Sequence, residues 1–339
     1  MIQWLRKRLS VRVVVPSIIA LGMLVYVATL ASAPQSGREL WRVFQQTWIL
    51  ILFLTFPYLL ARALVWYRLM SQLGVEVPWR QAAVSFAGGE MTKSLPGGIY
   101  VENYILGRLV HFGRHSLIRS SMATTAMLGL EALVAVPTTL IIGVPGERWL
   151  FWAILGIVIF WLVMLVLAWV LVHHIVPHGQ RRSDSRLHRA ATVADEFLHA
   201  GADLLTLETL FDGIPTALYM LIYAIDLYAI LLALNVHSIT FVDTLVIYAI
   251  VVLAVILVPI PTEIGISEFT GLGVLLAFGT SRSVAALAVL SLRVLATGFT
   301  IVVAGLILFV LRHELSRLLP TSPETAVVPP VEQVPSPGP

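Results

Sequence analysis

Long apolar runs dominate the pattern of residues along the chain, and short polar stretches separate them. The runs cover residues 13–31, 48–66, 120–144, 149–172, 214–234, 244–258 and 284–311. All except 244–258 are near the roughly 20 residues that a helix needs to cross a bilayer core of about 30 Å. The pattern predicts an all-α polytopic integral membrane protein with about six to eight transmembrane helices.

Two further apolar stretches, 82–109 and 259–278, are interrupted by proline, glycine and charged residues. Proline removes a backbone donor, and glycine adopts turn conformations that other residues avoid. Because lipid cannot satisfy irregular backbone, each stretch must be covered by protein or line a wet cavity. We predict two re-entrant hairpins of short helices, entering from opposite sides as in a transporter with an inverted repeat. Their helix N-termini would point N–H groups at a phosphate.

Composition supports membrane insertion and excludes several classes of function. Of the 339 residues, 58% are hydrophobic and 12% charged, whereas soluble domains contain about 25% charged residues. The net charge of +3 is spread between the apolar runs, which argues against a nucleic-acid partner. The chain has no cysteine, so disulfides and thiolate chemistry are excluded. No catalytic or phosphate-loop motif is present, and we expect no metal, no cofactor and no enzymatic activity.

The distribution of Arg and Lys predicts the orientation, since cytoplasmic loops carry an excess of these residues. With a cytoplasmic N-terminus, most of the basic residues fall on the cytoplasmic side, while Arg38, Arg42, Arg148 and Arg282 fall outside. This gives a basic N-terminus at 1–12, a membrane domain at 13–311 and a tail at 312–339, both termini being cytoplasmic in the plasma membrane. The polar loop 173–209 is interpreted as a cytoplasmic solvated connector in preference to a surface helix. The proline-rich end of the tail is expected to be disordered.

A cleaved signal peptide ending at Ala31-Ser32-Ala33 is the alternative for the first run. That run is longer than the 7–15 apolar residues of a signal peptide. We therefore expect a retained first helix.

Ionisable residues in membrane-embedded sequence are costly and mark candidate functional positions. Lys93, with Arg108 or Arg293, would bind a lipid phosphate, and the carboxylates would relay protons or bind a lipid amine. Internal pairing of Lys93 with Glu90 and of Glu268 with Arg293 stays open as an alternative. The candidate substrate-binding residues are Glu90, Lys93, Pro96, Gly97, Gly98, Glu102, Arg108, Glu131, Pro261, Glu263, Gly265, Glu268 and Arg293.

Two other charged residues within apolar runs are interpreted as structural. Arg62 lies near the cytoplasmic end of its run and is expected to extend to the interface, with its stem along apolar surface. Asp226 is expected to be neutral and hydrogen-bonded to a neighbouring helix.

The two broken stretches resemble the signature segments of a known family. The first contains Lys93-Ser94-Leu95-Pro96-Gly97-Gly98, and the second contains Pro259-x-Pro261 followed by Ile264-Gly265-Ile266-Ser267-Glu268. Their order and spacing are similar to those of the lysylphosphatidylglycerol synthase transmembrane region, over about residues 13–311. Thr262-Glu263 replaces the glycine pair of the family's usual Pro-Gly-Gly-Ile-Gly pattern.

The resemblance implies a flippase-like membrane domain. In synthases of the family, aminoacyl transfer belongs to a soluble domain after the membrane part, and only about 28 residues follow Leu311 here. We therefore expect a stand-alone form that moves, or helps to move, an amphipathic phospho- or glycolipid with an anionic or aminoacylated head group. The alternatives are a membrane enzyme acting on a lipid phosphate or lipid-linked sugar, with Glu90, Lys93 and Glu102 as its acid–base group, and an accessory subunit that binds lipid- or glycan-synthesis enzymes.

The orientation is testable because the chain has no native cysteine. Single cysteines at Ser36 and Ser238 should react with an impermeant maleimide in intact cells, and one at Ser185 should react only after permeabilisation. Labelling at position 185 in intact cells would contradict the predicted topology.

Overall fold

The computed structural model describes residues 36–93, 98–143, 186–257 and 265–315, with a few isolated positions outside these ranges. All regular secondary structure in these ranges is helical. The helices are α1 Ser36–Gln72, α2 Trp79–Thr92, α3 Val101–Leu109, α4 Arg114–Ile142, α5 Arg186–Asp203, α6 Leu207–Phe211, α7 Gly213–Ala233, α8 Phe241–Leu257, α9 Ile266–Ala277, α10 Arg282–Leu292, α11 Gly298–Val310 and α12 Arg312–Leu315. The predicted runs at 13–31 and 149–172 and the proline-rich end of the tail lie outside the described residues.

Four helical segments of the described chain are long and apolar enough to cross a membrane. They are Gly37–Gln72, Arg114–Ile142, Leu207–Ala233 and Arg282–Val310. The last is continuous because a π-helical turn, Arg293–Thr297, joins α10 to α11. The predictions made from the runs 48–66, 120–144, 214–234 and 284–311 are confirmed, and with them the all-α membrane architecture.

The first broken stretch forms a hairpin of α2 and α3, which pack against each other. With 14 and 9 residues, these helices are about 21 and 14 Å long and too short to cross the bilayer. Gly88 and Gly89 allow the close approach, since a Cβ on Gly88 would lie 2.5 Å from Ile105 Cδ1. The predicted hairpin is confirmed in its two arms, while residues 94–97 between them lie outside the described chain.

The second hairpin is larger than predicted. Its arms are α8, with 17 residues, and α9, with 12, and they pack against each other on either side of residues 258–264. The prediction limited the hairpin to 259–278 and gave 244–258 as a separate apolar run that is short for a span, whereas the structure makes that run the first arm of the hairpin. A 17-residue helix is only about 25 Å long, and its packing on α9 makes it the entering arm.

The element order repeats along the chain. A long helix, a hairpin and a second long helix occur once as α1 to α4 and again as α7 to α11. The two opening helices, α1 and α7, pack on each other, while α2 packs on α11 and α8 packs on α4. Each hairpin therefore contacts the closing helix of the other half, as the halves of an inverted repeat do.

The hairpins enter from opposite ends of the bundle. At the end that we call the Arg119 end, Arg68 Nε lies 2.6 Å from Asp212 Oδ1, and Arg119 Nη1 donates to Leu73 O at 2.7 Å. These contacts bring together the end of α1 and the starts of α4 and α7. The first hairpin lies between α1 and α4 and begins at the Arg119 end. The second hairpin begins at the opposite end, which we call the Arg282 end.

The loop 173–209 contains a helix, so the connector interpretation is wrong for Arg186–Asp203. Helix α5 packs on the start of α4, where His115 contacts Glu196 and a Cβ on Gly201 would lie 3.1 Å from Met122 Cε. Packing against α4 stabilises α5 in addition to the helix propensity of its own sequence, as is usual for an amphipathic helix.

Gly98, which begins the 3-10 turn before α3, has no room for a side chain. A Cβ there would overlap the carbonyl group of Thr92, and the backbone would have to shift at a cost of about 1–3 kcal/mol. Gly98→Ala should therefore lower the melting temperature of the detergent-purified protein by several degrees. Gly305→Ala, where no atom lies within 4 Å of the position that a Cβ would occupy, should lower it little or raise it. Equal melting temperatures would contradict the tight turn.

Candidate functional site

A cavity of about 390 Å³ lies between the two hairpins, midway along the spanning helices. Lys93 and Tyr100 of the first hairpin and Ser267 and Glu268 of the second line the same cavity. Described residues of both hairpins therefore bound one space.

The cavity wall is amphipathic. Arg62, Lys93, Glu131, Glu268 and Arg293 contribute charge to it. Helix α8 contributes an apolar surface, formed by Ile247, Val251, Val252, Val255 and Ile256. A mostly apolar pocket with a few convergent polar groups is the usual form of a small-molecule site.

Arg62 is the buried centre of the first charged cluster, with 3% of its surface exposed. Its Nε lies 3.3 Å from Glu90 Oε1, and its Nη1 lies 3.4 Å from Glu131 Oε1. Nη1 also donates to the hydroxyl of Tyr58 at 3.0 Å, and the guanidinium lies 5.2 Å from the ring centroid of Tyr219. The expectation that Arg62 extends to the interface is wrong, because helices α2, α4 and α7 enclose the middle of α1 and supply partners there.

The carboxylates around Arg62 are held by polar neighbours. Tyr219 donates its hydroxyl to Glu131 Oε1 at 2.9 Å. Glu102, at the start of α3, accepts a hydrogen bond from Thr124 at 2.9 Å. The Thr124 hydroxyl in turn accepts from Trp66 Nε1 and Asn103 Nδ2. A network this fully bonded fixes α3 against α4 and α1.

Glu268 forms the second cluster, with 1% of its surface exposed. It accepts from the backbone N–H of Gly265 at 2.6 Å and from Ser267 Oγ at 3.0 Å. Arg293 Nε lies 2.8 Å from its other oxygen, so the predicted pairing of Glu268 with Arg293 is confirmed. Gly265 has φ +90°, a conformation that glycine adopts without strain. Because Glu268 already occupies this N–H group at the start of α9, the expected phosphate contact with it is not available.

The structure separates the predicted site residues into groups. Lys93, Glu131, Glu268 and Arg293 line the cavity, and Gly265 holds Glu268. Glu90, Glu102 and Gly98 are buried but are not among its described lining residues. Arg108 is exposed on α3 and is not among the described lining residues of this cavity. Pro96, Gly97, Pro261 and Glu263 lie outside the described residues.

Sequence reasoning missed Arg62, Tyr223, Tyr248 and Ser267 of the cavity wall. The sequence signal that pointed to Arg62 was its spacing of four residues from Tyr58, since residues four apart share a helix face and can interact. Glu90 contacts Arg62, a pairing that was not considered. Asp226 is buried as expected, yet its Oδ1 makes no hydrogen bond with the described residues.

Arg62→Met would leave Glu90 and Glu131 buried without their cation, which costs about 3–5 kcal/mol when a buried pair is broken. We expect a clear fall in melting temperature, largely restored when Glu90→Gln and Glu131→Gln are added. Arg38→Met, at an exposed position, is the matched control. If Arg62→Met melted like that control, Arg62 would not stabilise the bundle.

Comparison with known proteins agrees with this architecture. No curated protein and no solved structure matches the chain. The family described as the lysylphosphatidylglycerol synthase TM region matches residues 13–305, a range that contains both hairpins and every residue of the two charged clusters. The chain belongs to the lysylphosphatidylglycerol synthase transmembrane-region family.

Proposed function

We propose that this membrane protein moves an anionic amphipathic lipid between leaflets, with the head group in the cavity and the acyl chains in the bilayer. The observation that carries the proposal is the shared cavity midway along the spanning helices, to which both opposed hairpins contribute charged side chains. A volume of about 390 Å³ lies within the range of small-molecule sites, about 300–1,000 Å³. It suits a head group, not a whole lipid.

The charges of the wall favour an anion. Arg62, Lys93 and Arg293 all line the cavity. The two ion pairs of Arg62 measure 3.3 and 3.4 Å, longer than the roughly 2.7–2.9 Å of charge-assisted hydrogen bonds. Its Nε forms no hydrogen bond with the described residues. A phosphate oxygen would supply the acceptor that this buried Nε lacks.

The repeated architecture allows the cavity to open to one side of the membrane and then to the other. Rocking of one half against the other around a fixed central site opens a transporter to each side in turn. The Arg119 end carries Arg68, Arg108, Arg114, Arg119 and Arg312, and the Arg282 end carries Arg38, Arg42 and Arg282. By the positive-inside rule, we place the Arg119 end and both termini in the cytoplasm, with the protein in the plasma membrane.

The enzyme alternative has less support. Its acid–base group would be Glu90, Lys93 and Glu102, but Glu90 and Glu102 are absent from the described lining of the cavity. A general acid or base must reach its substrate within hydrogen-bond distance. We therefore propose transport without catalysis.

The proposal is tested with purified protein in liposomes that contain fluorescent NBD-phosphatidylglycerol. Dithionite quenches only outer-leaflet label, so lipid movement increases the quenched fraction. Lys93→Ala and Glu268→Gln should each slow this movement at least tenfold, because they remove a cation of the wall and the partner of Arg293. Arg38→Ala, exposed at the Arg282 end, should leave it unchanged.

Two results would contradict the proposal. Wild-type protein that moves no labelled lipid, although correctly inserted, would favour an accessory role. Full activity in both cavity variants would exclude the cavity as the path of the head group.

A further inference from the structure

We propose that Tyr219 is a positioning residue of the cavity: its hydroxyl holds Glu131 back from Arg62, so that the guanidinium stays available to the phosphate of a head group. The proposal rests on the proposed function and adds to it a residue that controls the strength of lipid binding. It follows from the contacts that Arg62 and Glu131 make with the tyrosines around them.

Arg62 and Glu131 line the same cavity and lie side by side without a close pair. The distance between Arg62 Nη1 and Glu131 Oε1 is 3.4 Å, and the two side chains are only 4% and 9% exposed. A charge-assisted hydrogen bond is shorter, about 2.7–2.9 Å, and the attraction between opposite charges is stronger in a buried site than in water. Other contacts must therefore hold the two groups apart.

Tyr219 provides such a contact for Glu131. Its hydroxyl donates to Glu131 Oε1 at 2.9 Å, and this is the same oxygen that Arg62 Nη1 approaches. Tyr219 belongs to α7 and is 1% exposed, so its position is fixed by the packing of the second half. Hydrogen bonds to charged groups are stronger than those between neutral groups. The hydroxyl therefore holds the carboxylate of α4 at the position that α7 gives it.

Two tyrosines hold the guanidinium itself by neutral contacts. Nη1 of Arg62 donates to the hydroxyl of Tyr58 at 3.0 Å. The guanidinium carbon lies 5.6 Å from the ring centroid of Tyr58 and 5.2 Å from that of Tyr219. The two rings pack edge to face, with centroids 6.0 Å apart. Such contacts stabilise a cation and do not neutralise it, so they favour a guanidinium that can still bind an anion.

Glu131 and a lipid phosphate compete for the same guanidinium. Its charge is delocalised over the whole planar group, so a close carboxylate at Nη1 weakens the attraction for a phosphate at any of its nitrogens. Without the Tyr219 hydroxyl, Glu131 is free to approach Arg62, and a phosphate would have to break that pair in order to bind. Tyr219 is not among the described lining residues of the cavity, and its effect on the lipid therefore passes through Glu131.

The substitution Tyr219→Phe isolates this hydrogen bond. It keeps the ring, and with it the packing on Tyr58 and the contact with the guanidinium of Arg62. It removes only the hydroxyl that donates to Glu131. A change in lipid binding in this variant therefore reports on the position of the carboxylate and not on a cavity left in the core.

The test measures the affinity of the detergent-purified full chain for dioctanoyl phosphatidylglycerol by calorimetry. Tyr219→Phe should bind this lipid about tenfold more weakly than wild type, an effect of the size that one hydrogen bond to a charged group commonly has. Tyr228→Phe is the matched control. Tyr228 lies on the same helix, packs on Phe241 and is not among the described lining residues, so this variant should bind as wild type does.

A second background tests whether the effect passes through Glu131. Glutamine has no charge with which to compete for Arg62, so Glu131→Gln should bind the lipid more tightly than wild type. In the Glu131→Gln background, the additional change Tyr219→Phe should alter the affinity less than about twofold, since the two residues act as a coupled pair. A tyrosine that acted only through packing would weaken binding equally in both backgrounds.

The outcomes separate this inference from the proposed function. Folded wild type that binds no lipid removes the proposed function, and the inference with it. Wild-type affinity in Tyr219→Phe overturns the inference and leaves lipid transport standing, and so does an equal loss of affinity in both backgrounds. If Tyr219→Phe did not fold, Glu131→Gln alone would decide. Tighter binding by that variant supports the competition for Arg62, and weaker binding overturns it.

Discussion

A single buried guanidinium organises the membrane core of this protein. Arg62 sits in the middle of a long apolar helix, where an unpaired charge is prohibitively costly. Its partners come from three other elements: Glu90 of the first hairpin, Glu131 of α4 and the ring of Tyr219 on α7. The hairpin, the closing helix of its own repeat and the opening helix of the other repeat must therefore assemble around α1 together.

The two halves use related chemistry for different purposes. Each hairpin has a glutamate in the first turn of its second arm, Glu102 in one and Glu268 in the other. In each half that glutamate contacts the following long helix, through Thr124 in the first and Arg293 in the second. The second pair lies on the cavity wall, whereas Glu102 and Thr124 are not among the described lining residues. The repeated glutamate therefore contributes to the cavity wall in one half and to the packing of α3 on α4 in the other.

Features that depend on local sequence were predictable, and those that depend on neighbouring helices were not. Run length predicted the described spans, and proline with glycine predicted both hairpins, because lipid restricts each of these directly. The Glu268–Arg293 pair was anticipated from the need of each charge for a partner. Arg62 was misjudged because its apolar run does not show whether lipid or protein surrounds it. Likewise, the sequence of a nine-residue helix beside an irregular turn does not reveal which face meets the cavity, and Arg108 lies on an exposed face of α3.

The most direct test of the central claim is to locate the head group in the membrane-embedded protein. Phosphatidylglycerol with a photoreactive group on its head group is incorporated with the protein into liposomes, and labelled peptides are identified by mass spectrometry. The account predicts labelling at mid-helix positions of the cavity wall, near Glu131 and Tyr223, that disappears in Lys93→Ala. Labelling confined to the helix ends, around Arg119 and Arg282, would show that the head group never enters the cavity and would contradict the account.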